Sequence, residues 1–144
     1  MGLFFDANKY ITRVESPRVN RSLSRKEQVL GYIDKYFDAF CTEYLQDVYS
    51  ACRIYIEDTL EEDTHENTRA VTTPEMQAVT TIIKGLQDFI DKGEYKEMKY
   101  LHVLAEKEAF KLYCGMISKS LEMEIIDRKQ AKRRIAKFYN LCDK

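Results

Sequence analysis

Apolar residues recur at steps of three and four between residues 30 and 55, and this period limits what the chain can fold into. The residues that keep to the period are Leu30, Ile33, Phe37, Phe40, Tyr44, Val48, Ala51 and Tyr55. A half-buried strand would show a period of two, so the pattern predicts an α-helix. Ser24, with Glu27 three residues later, makes a capping box that predicts where this helix begins. We expect one long helix from Ser24 to about Tyr55.

Capping residues and the same period predict three further helices. Thr73, followed by a proline, begins the second helix, and Gly93 ends it. The third helix begins at about Tyr95, so the connection is short and the two helices form an antiparallel hairpin. Asp127, with Gln130 three residues later, caps the fourth.

These segments predict an all-α fold, a bundle of four main helices, one of them long, with a partly irregular N-terminal arm. We place the arm at residues 1–23 and the bundle at residues 24–144. Five glycines and two prolines are too few for the many turns of a β-fold. No apolar run approaches the eighteen or so residues that span a bilayer, and the N-terminus lacks a signal-peptide pattern. We therefore expect no membrane partner and, by default, a cytoplasmic location.

Residues suited to catalysis or metal binding are sparse in this sequence. Glu62 and His65 match the Glu-x-x-His pattern once, in a polar loop, whereas carboxylate di-metal bundles use that pattern twice. His102 and Glu106 lie one helical turn apart, a spacing typical of local stabilisation on a helix surface. No phosphate-binding loop and no nucleophile motif occurs. We expect no catalytic residue, no cofactor and no metal ion, and hence a protein that is not an enzyme.

The four cysteines, Cys41, Cys52, Cys114 and Cys142, fall among apolar residues. Cys41 and Cys52 are eleven residues apart in one predicted helix, about 16 Å, which is too far for a disulfide. We expect all four to be reduced and buried, since free cysteine behaves as a small hydrophobic residue.

The net charge of −1 conceals a strong asymmetry along the chain. Residues 27–63 contain ten acidic residues and two basic ones, whereas residues 128–137 contain six basic residues. Ala131 and Ile135 lie on another side of the predicted C-terminal helix, which suits a helix that is anchored by one side and contacts negative charge with the other. The basic residues that we expect to contact a partner are Arg128, Lys129, Lys132, Arg133 and Lys137.

The N-terminal arm supplies aromatic candidates for interaction, Phe4, Phe5 and Tyr10. Its apolar residues show no sustained period, and Ser16 before Pro17 interrupts them, because the residue before a proline avoids the helical conformation. The arm must therefore dock on the body of the bundle or on another subunit.

The negative charge that the C-terminal helix contacts can belong to protein, within this chain or across a subunit interface, or to nucleic acid. A dedicated nucleic-acid domain usually has a pI above about 9, but the pI of this chain is near 6.2. Our leading hypothesis is a non-enzymatic protein-binding module (a regulator, inhibitor, adaptor or assembly subunit) that self-associates as a homo-oligomer. The alternative is a helical nucleic-acid-binding subunit of a ribonucleoprotein or DNA-binding complex.

Two segments, VTTPEMQAVTTIIKGLQ at residues 71–87 and AFKLYCG at residues 109–115, are similar in pattern to the small helical subunit of type III CRISPR effector complexes. That family lines a nucleic-acid channel with helical bundles, so the resemblance implies the nucleic-acid alternative. The long acidic first helix and the low pI depart from the family.

Overall fold

The computed structural model describes residues 5–60, 72–98 and 100–142, and within these ranges it contains helices and irregular segments but no strand. The α-helices of the described residues are α1 (Arg25–Ala39), α2 (Gln46–Thr59), α3 (Pro74–Lys92), α4 (Leu101–Glu122) and α5 (Arg128–Cys142). Two short 3-10 turns, Ala7–Tyr10 and Glu94–Met98, precede α1 and α4. The all-α class is confirmed. None of the described helices is long and apolar enough to cross a membrane.

The prediction of one long first helix is wrong, because the chain turns between α1 and α2. Cys41 adopts a positive φ of 51°, which is outside the right-handed helical region. The hydroxyl of Thr42 donates to the carbonyl of Phe37 at 3.1 Å and closes the turn. The N–H of Tyr44 donates to the carboxylate of Glu108 on α4 at 2.9 Å, so a partner distant in sequence replaces the intrahelical one. The apolar period continues through the turn because both helices bury an apolar face. The break between α1 and α2 therefore could not be predicted from the period.

The capping residues predicted from the sequence lie at helix ends in the structure. The hydroxyls of Ser24 and Thr73 accept the capping hydrogen bonds of α1 and α3. Gly93 ends α3 with a φ of 64°, a left-handed conformation that glycine adopts without steric cost. Asp127 and Gln130 exchange two hydrogen bonds at the start of α5, at 2.8 and 3.1 Å.

The connection between α3 and α4 is longer than expected. The chain forms the 3-10 turn Glu94–Met98 where a helix was predicted to begin at Tyr95. The ring of Tyr95 is buried and stacks on Phe89 of α3, with ring centroids 4.9 Å apart. The turn carries this ring into the core.

Helices α3 and α4 form the centre of the bundle. α3 packs against α1, α2, α4 and α5, and α4 packs against α3 and α5. Every residue of α4 from Leu112 to Ser120 is buried, so this half of the helix has neighbours on all sides. A Cβ atom added to Gly115 would lie 2.1 Å from the ring of Phe40, so the absence of a side chain lets the end of α1 approach α4.

The N-terminal arm packs on α4 and α5 of its own chain. Phe5 stacks on Tyr139 of α5, with ring centroids 4.3 Å apart. Tyr10 contacts Phe110 of α4 edge-on, with centroids 5.0 Å apart. Of the two docking places left open by the sequence, the body of the bundle is the one that these residues occupy. Phe4 lies outside the described residues.

Candidate interaction surface

One apolar side of α5 holds this helix on the bundle. Ala131, Ile135 and Phe138 are fully buried. The ring of Phe138 stacks on Tyr113 of α4, with centroids 4.0 Å apart and planes inclined by 12°. Because these anchors share one side of the helix, the opposite side faces solvent.

The solvent side of α5 carries a row of cations, which we call the basic face: Lys129, Lys132, Arg133 and Lys137, all exposed. From Arg128 to Cys142 the helix contains six Lys or Arg residues and no Asp or Glu. At 1.5 Å per residue, the backbone between Lys129 and Lys137 is about 12 Å long. Among the described residues, none of the four side chains of the basic face forms an ion pair. Within the described part of the chain, the basic face is therefore a patch of positive charge without an ion-pair partner.

Arg128, the fifth predicted contact residue, has a different environment. Its Nε and Nη2 atoms both donate to Oδ1 of Asn8, at 3.1 and 2.7 Å. Arg128 therefore joins α5 to the N-terminal arm.

Arg134 also lies on the exposed part of α5, although we did not predict it as a contact residue. Its charge acts on Tyr113: burial raises the pKa of the Tyr113 hydroxyl, and Arg134 opposes that increase. The sequence signal for Arg134 was its place in the same run of basic residues.

Two of the three aromatic candidates of the arm, Phe5 and Tyr10, contact other residues of the chain. Phe5 contacts both Tyr139 and Tyr10, whose ring centroid lies 5.6 Å from its own. Tyr10 keeps 39% of its surface exposed. The structure thus places Phe5 and Tyr10 beside α5, at the edge where Arg128 binds Asn8.

A groove of about 380 Å³ opens where α1 turns into α2. We call it the acidic groove, because its lining includes three carboxylates, Asp34, Asp38 and Glu43, and no basic residue. The carboxylate of Asp34 accepts hydrogen bonds from the Tyr49 hydroxyl (2.6 Å) and from Arg53. The hydrogen bond from the Tyr49 hydroxyl to Asp34 raises the pKa of this hydroxyl. Asp38 and Glu43 are exposed and form no ion pair with any described residue.

A buried lysine lies inside the bundle and was not predicted from the sequence. Lys119 of α4 is only 7% exposed, and its Nζ atom donates to the carbonyl of Val14 at 3.0 Å. It also forms ion pairs with Glu122 at 3.5 Å and Glu75 at 3.9 Å. Glu75 accepts a hydrogen bond from the hydroxyl of Tyr36, and burial together with this carboxylate raises the pKa of Tyr36. The network connects the arm with α1, α3 and α4.

A larger cavity of about 740 Å³ lies between the first turns of α1 and α3. Arg21, Arg25 and Glu75 are among its lining residues. Arg25 donates to the carbonyl of Thr72 at 2.6 Å and to the side-chain oxygen of Gln77 at 3.1 Å. Its guanidinium therefore joins these two segments of the chain.

His102 and Glu106, two of the residues considered for catalysis, both lie on α4. No group of three or more His, Cys, Asp or Glu residues is placed in the described part of the chain to hold a metal ion. Glu62 and His65 lie outside the described residues. On α4, Glu106 neighbours the hydroxyl of Tyr95, and burial, with the added effect of Glu106, raises the pKa of Tyr95 to about 12.

The four cysteines do not share one environment. Cys52 and Cys114 are buried, and burial raises the pKa of each thiol to about 12. A thiol that stays protonated is a poor nucleophile. Cys142 is partly buried, whereas Cys41 is exposed. The expectation of a buried thiol is wrong for Cys41, because this residue lies in the turn between α1 and α2.

No protein-family model, no curated protein and no solved structure matches this chain. The similarity in pattern to the CRISPR subunit therefore has no further support, and the function has to be sought in the geometry and charge of the surfaces.

Proposed function

We propose that this protein is a non-enzymatic binding module that recognises an acidic surface on a protein through the basic face of α5. Support comes from one observation: four exposed cations lie together on a helix without acidic residues, and none forms an ion pair with a described residue. If the basic face served to balance the acidic helices α1 and α2, their carboxylates would form ion pairs with it, and the described carboxylates of these helices do not.

The manner in which α5 is mounted also favours recognition. The stacked rings of Phe138 and Tyr113 fix the position of the helix, so the basic face does not have to be ordered when a partner binds. Exposed charges of this kind contribute mainly to the rate and orientation of association. We propose that the protein acts in the cytoplasm as a regulator, inhibitor, adaptor or assembly subunit. In each of these roles, such a surface would select partners by charge.

The test compares the wild-type protein with a face variant, Arg133→Glu with Lys137→Glu, as immobilised baits in a nuclease-treated native lysate. We expect acidic proteins that are retained by the wild type at about 0.05 M salt, lost with the face variant, and released as salt rises. A matched control is Lys107→Glu with Lys111→Glu, which makes the same charge change at two exposed positions of α4. Retention that is equal for all three baits would contradict the proposal.

Nucleic acid is the second candidate partner, and the layout of α5 is the observation that favours it. Lys129, Arg133 and Lys137 follow one another at single helical turns with no acidic residue between them, as in helices that track a phosphate backbone.

Fluorescence anisotropy with short labelled single- and double-stranded oligonucleotides distinguishes the two candidates. For duplex DNA, each phosphate neutralised contributes a slope of about −0.9 to log K against log salt. A steep slope that the face variant reduces by about two, but the Lys107 and Lys111 control leaves unchanged, would make nucleic acid the better assignment.

A further inference from the structure

We propose that a second copy of this chain provides the acidic surface, and that its acidic groove receives the basic face of α5. The proposal builds on the proposed function and names the partner of the same site.

The two surfaces are complementary in charge and similarly accessible. The basic face is on a helix without acidic residues, and the acidic groove has three carboxylates and no basic residue in its lining. Asp38 and Glu43 are exposed, as are all four cations of the basic face. Complementary charge of this kind orients two surfaces as they meet.

Different parts of the bundle form these two surfaces. The main packing neighbours of α5 are α3, α4 and the turn Ala7–Tyr10, whereas α1 and α2 form the groove. Among the described residues, the basic face forms no ion pair with the groove of its own chain. Contact between the two surfaces therefore requires two copies.

The groove also suits the shape of long cationic side chains. Its lining includes the rings of Phe37 and Tyr49, which pack edge-on at 5.2 Å between centroids. The ring of Phe37 is buried, whereas the ring of Tyr49 is partly exposed. Lysine and arginine have apolar stems that pack along an exposed ring such as that of Tyr49 while the charged end reaches a carboxylate.

Asp34 already forms an ion pair with Arg53. Asp38 and Glu43 form none with a described residue, although Glu43 also takes a hydrogen bond from the Tyr44 hydroxyl, so these two carboxylates are the acceptors that we assign to the second copy.

The contact joins two unlike surfaces, so it is a head-to-tail contact. Each copy in such a pair keeps one unused basic face or one unused groove. Head-to-tail contacts lead to rings when the rotation closes and to open chains when it does not. The wild-type protein can therefore grow beyond a dimer.

Sedimentation velocity on the purified full chain tests this arrangement with two variants. The face variant is Arg133→Glu with Lys137→Glu, and the groove variant is Asp38→Lys with Glu43→Lys. We expect the wild type to assemble at about 0.01 M salt, with a dissociation constant at least about tenfold higher at about 0.15 M. Each variant alone should sediment as a monomer of about 17.0 kDa.

Mixing the two variants is the decisive step. The mixture still contains one intact basic face and one intact groove, on different chains, so it should form a heterodimer of twice 17.0 kDa and no larger species. The surfaces left unused in that heterodimer are the altered ones. The altered face holds Lys129 and Lys132 beside two glutamates, so it has no net charge with which to bind the altered groove. Circular dichroism checks that every variant is folded, and the Lys107 and Lys111 control should assemble like the wild type.

Three results would overturn the arrangement. The first is that the wild type stays monomeric at about 0.01 M salt. The second is that each variant alone assembles as well as the wild type does. The third is that the mixture of the two variants remains monomeric. None of these results bears on retention of a different acidic protein by the wild-type bait, so the proposed function can fail or hold independently.

Discussion

Two neighbouring helices carry lysines in opposite environments. On α4, Lys119 is only 7% exposed, and its ammonium group donates a hydrogen bond to the carbonyl of Val14 and forms ion pairs with two carboxylates. On α5, Lys129 and Lys137 are exposed, and no described acidic residue forms an ion pair with either. The same side chain thus holds the fold together in one helix and is available to a partner in the other.

The difference follows from the cost of removing a charge from water. A buried ammonium group is tolerated only when hydrogen bonds and opposite charges replace its hydration. An exposed one stays hydrated and needs no partner within the fold. Substitution of the buried lysine of α4 should therefore lower the stability of the protein, whereas substitution of the exposed lysines of α5 should weaken binding to a partner.

Lys119→Met should produce the largest loss of stability. It leaves Glu75 and the carbonyl of Val14 without the cation, and removing one member of a buried ion pair costs about 3 kcal/mol. Urea denaturation measures the change. Lys129→Met is the matched control and should change the free energy of unfolding by no more than about 0.5 kcal/mol. Equal effects of the two substitutions would contradict the comparison.

Gly115→Ala should lower the free energy of unfolding by about 1–3 kcal/mol, since overpacking of a filled core has that cost. The added methyl group would lie 2.1 Å from the ring of Phe40. Adding Phe40→Leu should recover part of the loss, because the smaller side chain vacates that space. Asn140→Ala, on the exposed part of α5, should change stability by less than about 0.5 kcal/mol. Thermal unfolding of the wild type, Gly115→Ala, the double variant and Asn140→Ala measures these differences. It shows whether α4 tolerates substitution less well than the exposed part of α5.

Alkaline pH should lower the free energy of unfolding through the buried thiols of Cys52 and Cys114. Burial, with an added effect of Asp88, raises the pKa of Cys52 from 9.0 to about 12, and burial with an added effect of Cys142 does the same for Cys114. The unfolded chain releases these protons first, so the stability is fully present below pH 9 and is lost as pH rises toward 12. Each thiol contributes a slope of up to about 1.4 kcal/mol per pH unit.

Urea midpoints between about pH 8 and about pH 11 measure this loss together with the loss from the buried tyrosines Tyr36, Tyr95 and Tyr113, whose pKa values are also raised. Cys114→Ala removes one of the two thiols and should make the slope clearly shallower than in the wild type. An unchanged slope would show that Cys114 does not contribute to it.

Phe5→Ala should have the smallest effect, a loss of about 1 kcal/mol, because the ring is only partly buried and aromatic pairs add about 0.5–1.5 kcal/mol to the burial term. The substitution removes the stacking on Tyr139 and leaves the basic face intact. Chemical denaturation measures the loss, and retention of acidic proteins by this variant should equal that of the wild type. A loss of binding would instead assign the arm a part in recognition.

Local chemistry made much of the fold predictable. Ser24, Thr73, Gly93 and Asp127 mark helix ends because each satisfies or terminates backbone hydrogen bonds within a few residues of itself. The basic run of α5 was equally readable, since its charges and its apolar anchors alternate at helical spacing. These features depend only on residues that are neighbours along the chain.

Contacts between distant residues decided the rest. The turn between α1 and α2 is completed by Glu108, which lies 64 residues from its partner Tyr44. No neighbouring residue in the sequence marks Lys119 as buried, and its partners Val14 and Glu75 are distant along the chain.

Helical class, helix ends and the run of positive charge are local properties, so the amino-acid order was sufficient for them. The break in the first helix, the docking of the arm and the division of the cations into buried and exposed sets depend on which helices pack together. That packing is settled by burial and by hydrogen bonds across the whole chain, which no short segment encodes.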